Sequence, residues 1–166
     1  PPAPCSTYGL TKWQQEEMVR FFAGWLGIPW VILRYFNVYG PGQSPRNPYT
    51  GVVTLFARRA MAGQPIEIYE DGLPLRDFVH IDDVVRANLA ALTHLQRGGA
   101  TINVGSGEVT SLCGLVDAVE RAAACRVRRV FRGRYRVGDI RSCLPDRRTA
   151  RRLLGLGRCR PLREGL

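Results

Sequence analysis

Trp30-Val31-Ile32-Leu33-Arg34-Tyr35-Phe36 is the stretch on which the fold turns. Its odd and even positions are alike apolar apart from Arg34, so a strand drawn through it has no polar face. That is the pattern of a central strand in a parallel sheet, covered by helices on both sides. Upstream, Ser6 or Thr7 can cap a helix running to about Leu26, with Gly27 just past its end and Pro29 beyond. Its apolar positions Leu10, Trp13, Met18, Phe21, Phe22 and Trp25 recur with helical spacing.

Downstream, Gly40-Pro41-Gly42 breaks the strand into a loop through Pro45, Asn47 and Pro48. A helix is expected from about residue 51 to 62, then an alternating strand Ile66-Glu67-Ile68-Tyr69 and a turn at Asp71-Gly72. Arg76 to His80 reads as a strand, and Asp82 or Asp83 opens a helix reaching about Gln96. A short strand at 101–104, a helix from Ser111 to about Ala124, a strand at 127–131 and a last helix at 147–154 complete the pattern. Helices and strands alternate throughout, so the class is α/β. Only one helix precedes the central-type strand, so its parallel neighbours are expected to come from sequence upstream of Pro1.

The composition, 45% hydrophobic and 23% charged, is that of an ordinary globular chain. No apolar run approaches the ~20 residues that span a bilayer, and no signal peptide opens the chain, so no membrane and a cytoplasmic location are expected. The five cysteines are scattered and odd in number, without Cys-x-x-Cys spacing, which argues against a zinc site or a disulfide framework. The net charge of +10 invites a nucleic-acid reading. Against it, Lys12 is the only lysine, and the late arginines carry no interleaved aromatics suited to base stacking.

Tyr8 and Lys12 stand at i and i+4, on one face of the first helix. A phenol ordinarily ionises near pH ~10 and is a poor base at neutrality. An adjacent ammonium favours the phenolate, which is what a proton shuttle to and from a sugar hydroxyl requires. The pair alone is a weak signal, and an exposed Tyr beside a solvated Lys is its more ordinary reading.

Tyr8-Gly9-Leu10-Thr11-Lys12 is followed in order by Arg34-Tyr35-Phe36-Asn37-Val38-Tyr39-Gly40-Pro41-Gly42, Arg76-Asp77-Phe78-Val79-His80-Ile81-Asp82-Asp83-Val84 and Ile102-Asn103-Val104-Gly105-Ser106-Gly107. Arg136-Val137-Gly138-Asp139 and the ending Leu162-Arg163-Glu164-Gly165-Leu166 extend the series. Together these blocks resemble the extended short-chain dehydrogenases/reductases that act on nucleotide sugars, NAD-dependent epimerases and dehydratases. Within that family, residues 44–52 look most similar to dTDP-L-rhamnose 4-epimerases.

The resemblance implies the C-terminal part of an NAD-binding Rossmann-type fold plus the smaller substrate-binding lobe. Residues 1–40 would be the tail end of the Rossmann domain. Residues 41–166 would be mainly the substrate lobe, with 76–96 packing back on the Rossmann domain. It further implies that Tyr8 is the catalytic acid/base and that Lys12 holds the nicotinamide ribose. Tyr8, Lys12 and Tyr35 would contact NAD. Asn37 would meet the substrate diphosphate of a nucleotide-diphosphate sugar. Thr50, Gly51 and Val52 would lie beside the nucleotide, and Glu67, Ile68 and Tyr69 would line the base pocket. Arg76 and Arg136 would clamp the two phosphates, with Asp139 holding Arg136 or a ribose hydroxyl. His80 is read as structural. The parent enzyme would be a homodimer, with no nucleic acid among its partners.

Three family features are not found in these residues: a glycine-rich pyrophosphate loop, the acidic residue that grips the adenosine ribose, and an upstream Ser/Thr to complete the proton-transfer set. The stretch Ser142-Cys143-Leu144-Pro145-Asp146 also departs from the family's more polar or aromatic pattern. The expected reaction of the parent is C4 epimerisation through a 4-keto sugar, with the chain alone inactive. Two alternatives stand beside it, a 4,6-dehydratase and a non-catalytic remnant or nucleotide-sugar binding module.

Overall fold

The computed structural model describes residues 2–44, 51–94, 98–134 and 140–166. Helix α1 (Thr7–Leu26) opens on Ser6, whose hydroxyl accepts from the Gly9 amide at 3.1 Å, and ends on Gly27 in the left-handed conformation. Strand β1 (Trp30–Tyr35) runs parallel to β5 (Gly99–Val104), with Trp30 opposite Gly99 and Tyr35 opposite Val104. A Cβ on Gly99 would collide with the Trp30 indole, so the close approach of these strand ends needs a glycine.

The expectation that β1 draws its parallel neighbours from upstream sequence is corrected here, because β5, nearly seventy residues downstream, supplies one of them. Among the described residues its other edge is unpaired. The chain then parts company with β5. The Phe36 amide still donates to the Val104 carbonyl at 3.1 Å, but β2 (Asn37–Tyr39) pairs in parallel with β4 (Leu75–His80). Strand β4 pairs on its other side, antiparallel, with β6 (Val109–Ser111).

A third pair, β3 (Ile66–Ile68) parallel to β7 (Arg129–Phe131), packs against α2 (Val52–Met61) and α4 (Leu112–Ala122). Their shared core holds Phe56, Ile66, Ile68, Phe78, Leu115 and Val119. Each such large side chain contributes about 1.5–3 kcal/mol by leaving water. Helix α3 (Ile81–His94) lies against β1 and β5, where Ala90 and Ala91 meet Val31, Leu33, Ile102 and Leu154 of α5 (Arg148–Leu154). The short α6 (Leu162–Gly165) closes the described chain. Among the described residues no helix is long and apolar enough to cross a membrane.

One buried carboxylate ties three segments together. Asp77 in β4 is fully buried, and its two oxygens accept the amides of Ser106 and Gly107, each at 2.6 Å. Gly105 is obligatory beside it, since a Cβ there would come within 2.8 Å of an Asp77 oxygen and 2.5 Å of Pro145. Burial pushes the Asp77 carboxyl above its ordinary range, and the two amides and the Arg147 charge only partly offset this.

Large apolar side chains stand in solvent on α1 and α3: Phe21 is 69% and Trp25 76% exposed, with Met18, Leu26, Leu89 and Leu92 also exposed. The purified 166-residue chain should therefore self-associate, more so at high salt where its +10 charge is screened. Phe21→Glu with Trp25→Lys should reduce the apparent mass in size-exclusion chromatography without lowering the melting temperature. A monodisperse wild-type monomer would contradict this.

Asp77→Asn keeps one acceptor for two donors, so it should cost about 1–3 kcal/mol in urea unfolding at pH 7. Because the folded carboxyl pKa is raised, the Asp77 contribution is greatest below the unfolded value of ~3.9 and declines as pH rises through the folded value. The stability gap between wild type and Asp77→Asn should narrow from pH 3.5 to pH 7. A gap that widens would mean that the amides hold Asp77 as its anion.

Candidate active site

Tyr8 and Lys12 sit in the first turns of α1, both exposed and on one face. The Tyr8 ring is 72% exposed, and the Lys12 ammonium lies 5.7 Å from its centroid while donating to Gln15 Oε1 at 3.2 Å. The ammonium thus stands over the ring and within reach of whatever meets the phenol. No carboxylate occupies the first turn of the helix.

What fixes this pair relative to the sheet is an ion pair that sequence reasoning left unassigned. Arg34 of β1 donates from Nε and Nη2 to the two oxygens of Glu16 on α1, both at 2.6 Å. Arg20 adds a bond from the same helix to Glu16 at 3.0 Å and reaches Thr101 of β5 at 2.9 Å. The Arg34 guanidinium holds the Glu16 carboxyl below the usual carboxylate range. A half-exposed pair of this kind adds only about 0.2–1 kcal/mol of stability. Its two-pronged geometry matters more, since it sets the rotation of α1 over β1.

The strand end below carries Tyr35 and Asn37. The Tyr35 hydroxyl donates to Asn88 Oδ1 of α3 at 2.9 Å, which anchors an otherwise exposed ring. The Asn37 side-chain amide donates to the Asp77 carbonyl at 3.0 Å, tying β2 to β4. Between them, at Phe36, the backbone leaves β5 for β4, so the paired strands diverge at the carboxyl end of β1. Ligands of α/β proteins lie at such strand ends, where neighbouring strands diverge.

Arg76 extends from the start of β4 and donates to the carbonyls of Arg141 at 2.7 Å and Ile140 at 2.9 Å. Its guanidinium thus holds the segment that directly follows 135–139. Arg136 and Asp139, the residues expected to share its task, lie outside the described residues, as does Thr50. Gly51 and Val52 form the N-terminus of α2. Gly51 makes no side-chain cap, and Gln43 lies beside it, accepting from Thr54 at 2.5 Å.

The strand read as a base pocket divides its side chains. Ile66 and Ile68 are fully buried in the core, so Ile68 offers no side chain to a ligand. Glu67 faces outward and accepts from Arg132 at 2.7 Å, and that bond holds its carboxyl below the ordinary range. Tyr69 is half exposed. Arg141 pins the adjoining turn by pairing with Glu70 and Asp71. His80 is buried, stacked edge-on against Tyr39, and its Nδ1 accepts the Asp82 amide at 3.2 Å.

The sequence missed Glu16, Arg34, Asn88 and Arg141, which position the expected site residues. Arg34 was visible inside its motif, but nothing local indicated that its partner lies eighteen residues upstream.

Comparison with known proteins shows the family. Residues 1–105 match the model of the NAD dependent epimerase/dehydratase family. The chain is 41% identical over 145 residues to the dTDP-L-rhamnose 4-epimerase of Burkholderia thailandensis, covering 87% of this chain and 40% of that protein. Its fold superposes on UDP-glucose 4-epimerase of Thermotoga maritima, solved with UDP-glucose, at a TM-score of 0.91 and 36% identity, covering 99% of this chain and 52% of that one. It likewise matches UDP-glucuronic acid 4-epimerase of Bacillus cereus, solved with UDP-glucuronic acid and NAD, at a TM-score of 0.88 and 30% identity, covering 99% and 51%. The chain therefore spans about half the length of these relatives. With more than half of its residues matched by that family model, the chain belongs to the NAD dependent epimerase/dehydratase family.

Proposed function

We propose that this chain carries the acid/base half of a nucleotide-sugar 4-epimerase active site. The observation that carries the reading is the exposed Tyr8–Lys12 pair on α1, a helix tied by Glu16–Arg34 to the strand that ends at Tyr35. Relatives named as 4-epimerases of dTDP- and UDP-sugars support it.

The residues fit a nicotinamide cofactor in one respect that the structure bears on: an exposed ammonium and an exposed phenol share a face, suited to a ribose hydroxyl and a sugar hydroxyl side by side. NAD, when bound, supplies reversible hydride acceptance. The chain's own part is proton management and positioning. Tyr8 takes the proton of the C4 hydroxyl as the sugar is oxidised to its 4-keto form, and returns it after the sugar has turned its other face. Lys12 holds the ribose and keeps positive charge beside the phenol. Asn37 and Arg76, with Arg136 and Asp139, orient the diphosphate. Gly51 and Val52 border the nucleotide at the α2 N-terminus, Thr50 shares that role, and Glu67 and Tyr69, with the backbone of Ile68, border its base.

The dinucleotide cradle belongs to the other half of the assembled enzyme, which would pack on the unpaired edge of β1. The exposed face of α1 would meet a second copy to form a homodimer. Two outcomes follow. The 166-residue chain alone should show no NAD⁺ binding in calorimetry and no turnover of dTDP- or UDP-sugars. Micromolar NAD⁺ binding would contradict the division of labour. When this chain is fused behind the N-terminal portion of the Burkholderia thailandensis relative, Tyr8→Phe should remove turnover and spare substrate binding, because only proton transfer is lost. Arg76→Ala should instead weaken nucleotide-sugar binding by about 2–4 kcal/mol. An active Tyr8→Phe fusion would refute the role of Tyr8.

A further inference from the structure

Most arginines with fixed partners here face carboxylates, as in Arg34–Glu16, Arg129–Asp117 and Arg148–Asp146. A cleft of about 370 Å³ beside α5 breaks that pattern. Its wall carries Arg147, Arg151, Arg158 and Arg160 against one carboxylate, Glu108. None of these residues is assigned above to the nucleotide sugar.

The floor is built. Arg147 is half-buried, and its guanidinium donates to the Ser106 carbonyl at 2.6 Å, the Gly157 carbonyl at 2.8 Å and Cys159 Sγ at 3.1 Å. All three acceptors are neutral, so the guanidinium is held in place without a direct ion pair, its charge felt by the Asp77 carboxyl beneath. Arg151 stands one helical turn further along α5, its amide on the Arg147 carbonyl at 3.0 Å. Among the described residues neither Arg147, Arg151 nor Arg158 has an ion-pair partner. Arg160 is partly neutralised by Asp82 at 2.9 Å. Glu108 is occupied, accepting the Leu162 amide at 3.1 Å.

A concave site with several guanidinium groups and one committed carboxylate suits an anion bearing more than one charge. Planar guanidinium forks pair with phosphate oxygens through two parallel hydrogen bonds, and the volume is that of a small-ligand cleft. We propose that this cleft binds a small multivalent oxyanion of the diphosphate class. Arg147 supplies the fixed charge at its floor, and Arg151 and Arg158 close over the ligand from opposite sides. Bound there, the anion joins α5 to the segment 157–161. The shared chemistry is a diphosphate, whether free or at the end of a nucleotide.

The test is calorimetry of the 166-residue chain with pyrophosphate and, separately, adenosine diphosphate, at constant ionic strength set with chloride. Pyrophosphate should bind, and the exposed-residue variant Arg151→Gln/Arg158→Gln should weaken it at least tenfold. Equal affinity for both ligands identifies the diphosphate as the recognised group, and tighter binding of adenosine diphosphate identifies a nucleotide source. Either ligand should protect Cys159, but not the exposed Cys5, from iodoacetamide. Absence of binding, an undiminished affinity in the double variant, or identical labelling of Cys159 with and without ligand overturns the proposal. Because neither Tyr8 nor Arg76 takes part, failure here leaves the epimerase reading untouched.

Discussion

The buried Asp77 carboxylate is the constraint on which the rest of this structure depends. A carboxyl group at zero exposure is tolerated only when its oxygens find hydrogen-bond partners, and the Ser106 and Gly107 amides supply them. That requirement fixes the turn after β5 against β4. The same residue's carbonyl receives Asn37, which holds β2 in place, and its neighbour Arg76 reaches the segment at 140–141. One residue thereby sets the relative positions of three elements at the strand ends. The Gly105 backbone must approach closely for this to work, which is the physical reason for a glycine in that place.

Charge elsewhere is arranged for orientation more than for stability. The Glu16–Arg34 bridge would add little to folding, but it decides which face of α1 looks over the strand ends. Arg129 plays a similar part between β7 and α4, bonding Asp117 at 2.6 Å and the nearly buried Glu120 at 2.7 Å. Many of the 24 basic residues are thus engaged in local pairs with the 14 acidic ones, and the cleft beside α5 is where positive charge gathers against neutral acceptors.

Much of the fold was legible because its signals are local. Ser6 and Ser111 cap the helices that follow them, and Gly27 and Gly155 end theirs in the left-handed conformation. What escaped is non-local. The apolar run at 30–36 announces a strand but not its partner, and β5 came from downstream where upstream neighbours were expected. Nothing in Tyr35-Phe36-Asn37 marks the place where the backbone changes partner, nor that β6 would pair with β4. Alternation put Ile66 and Ile68 on one face and Glu67 on the other, but α2 and α4 make the isoleucine face the core. Within the site, residue types and motif order pointed to Tyr8, Lys12 and Asn37. Their supports, Glu16, Asn88 and the Asp77 carbonyl, emerge only once the chain is folded.

The central claim is that Tyr8 is the group that exchanges a proton with the sugar. A crystal structure of the fused, full-length assembly with NAD and a nucleotide sugar tests it most directly. The account predicts the Tyr8 phenol oxygen within ~2.6–3.2 Å of the C4 hydroxyl, with the Lys12 ammonium on the adjacent ribose. A sugar bound with C4 turned away from Tyr8, or with another side chain in that position, would contradict it.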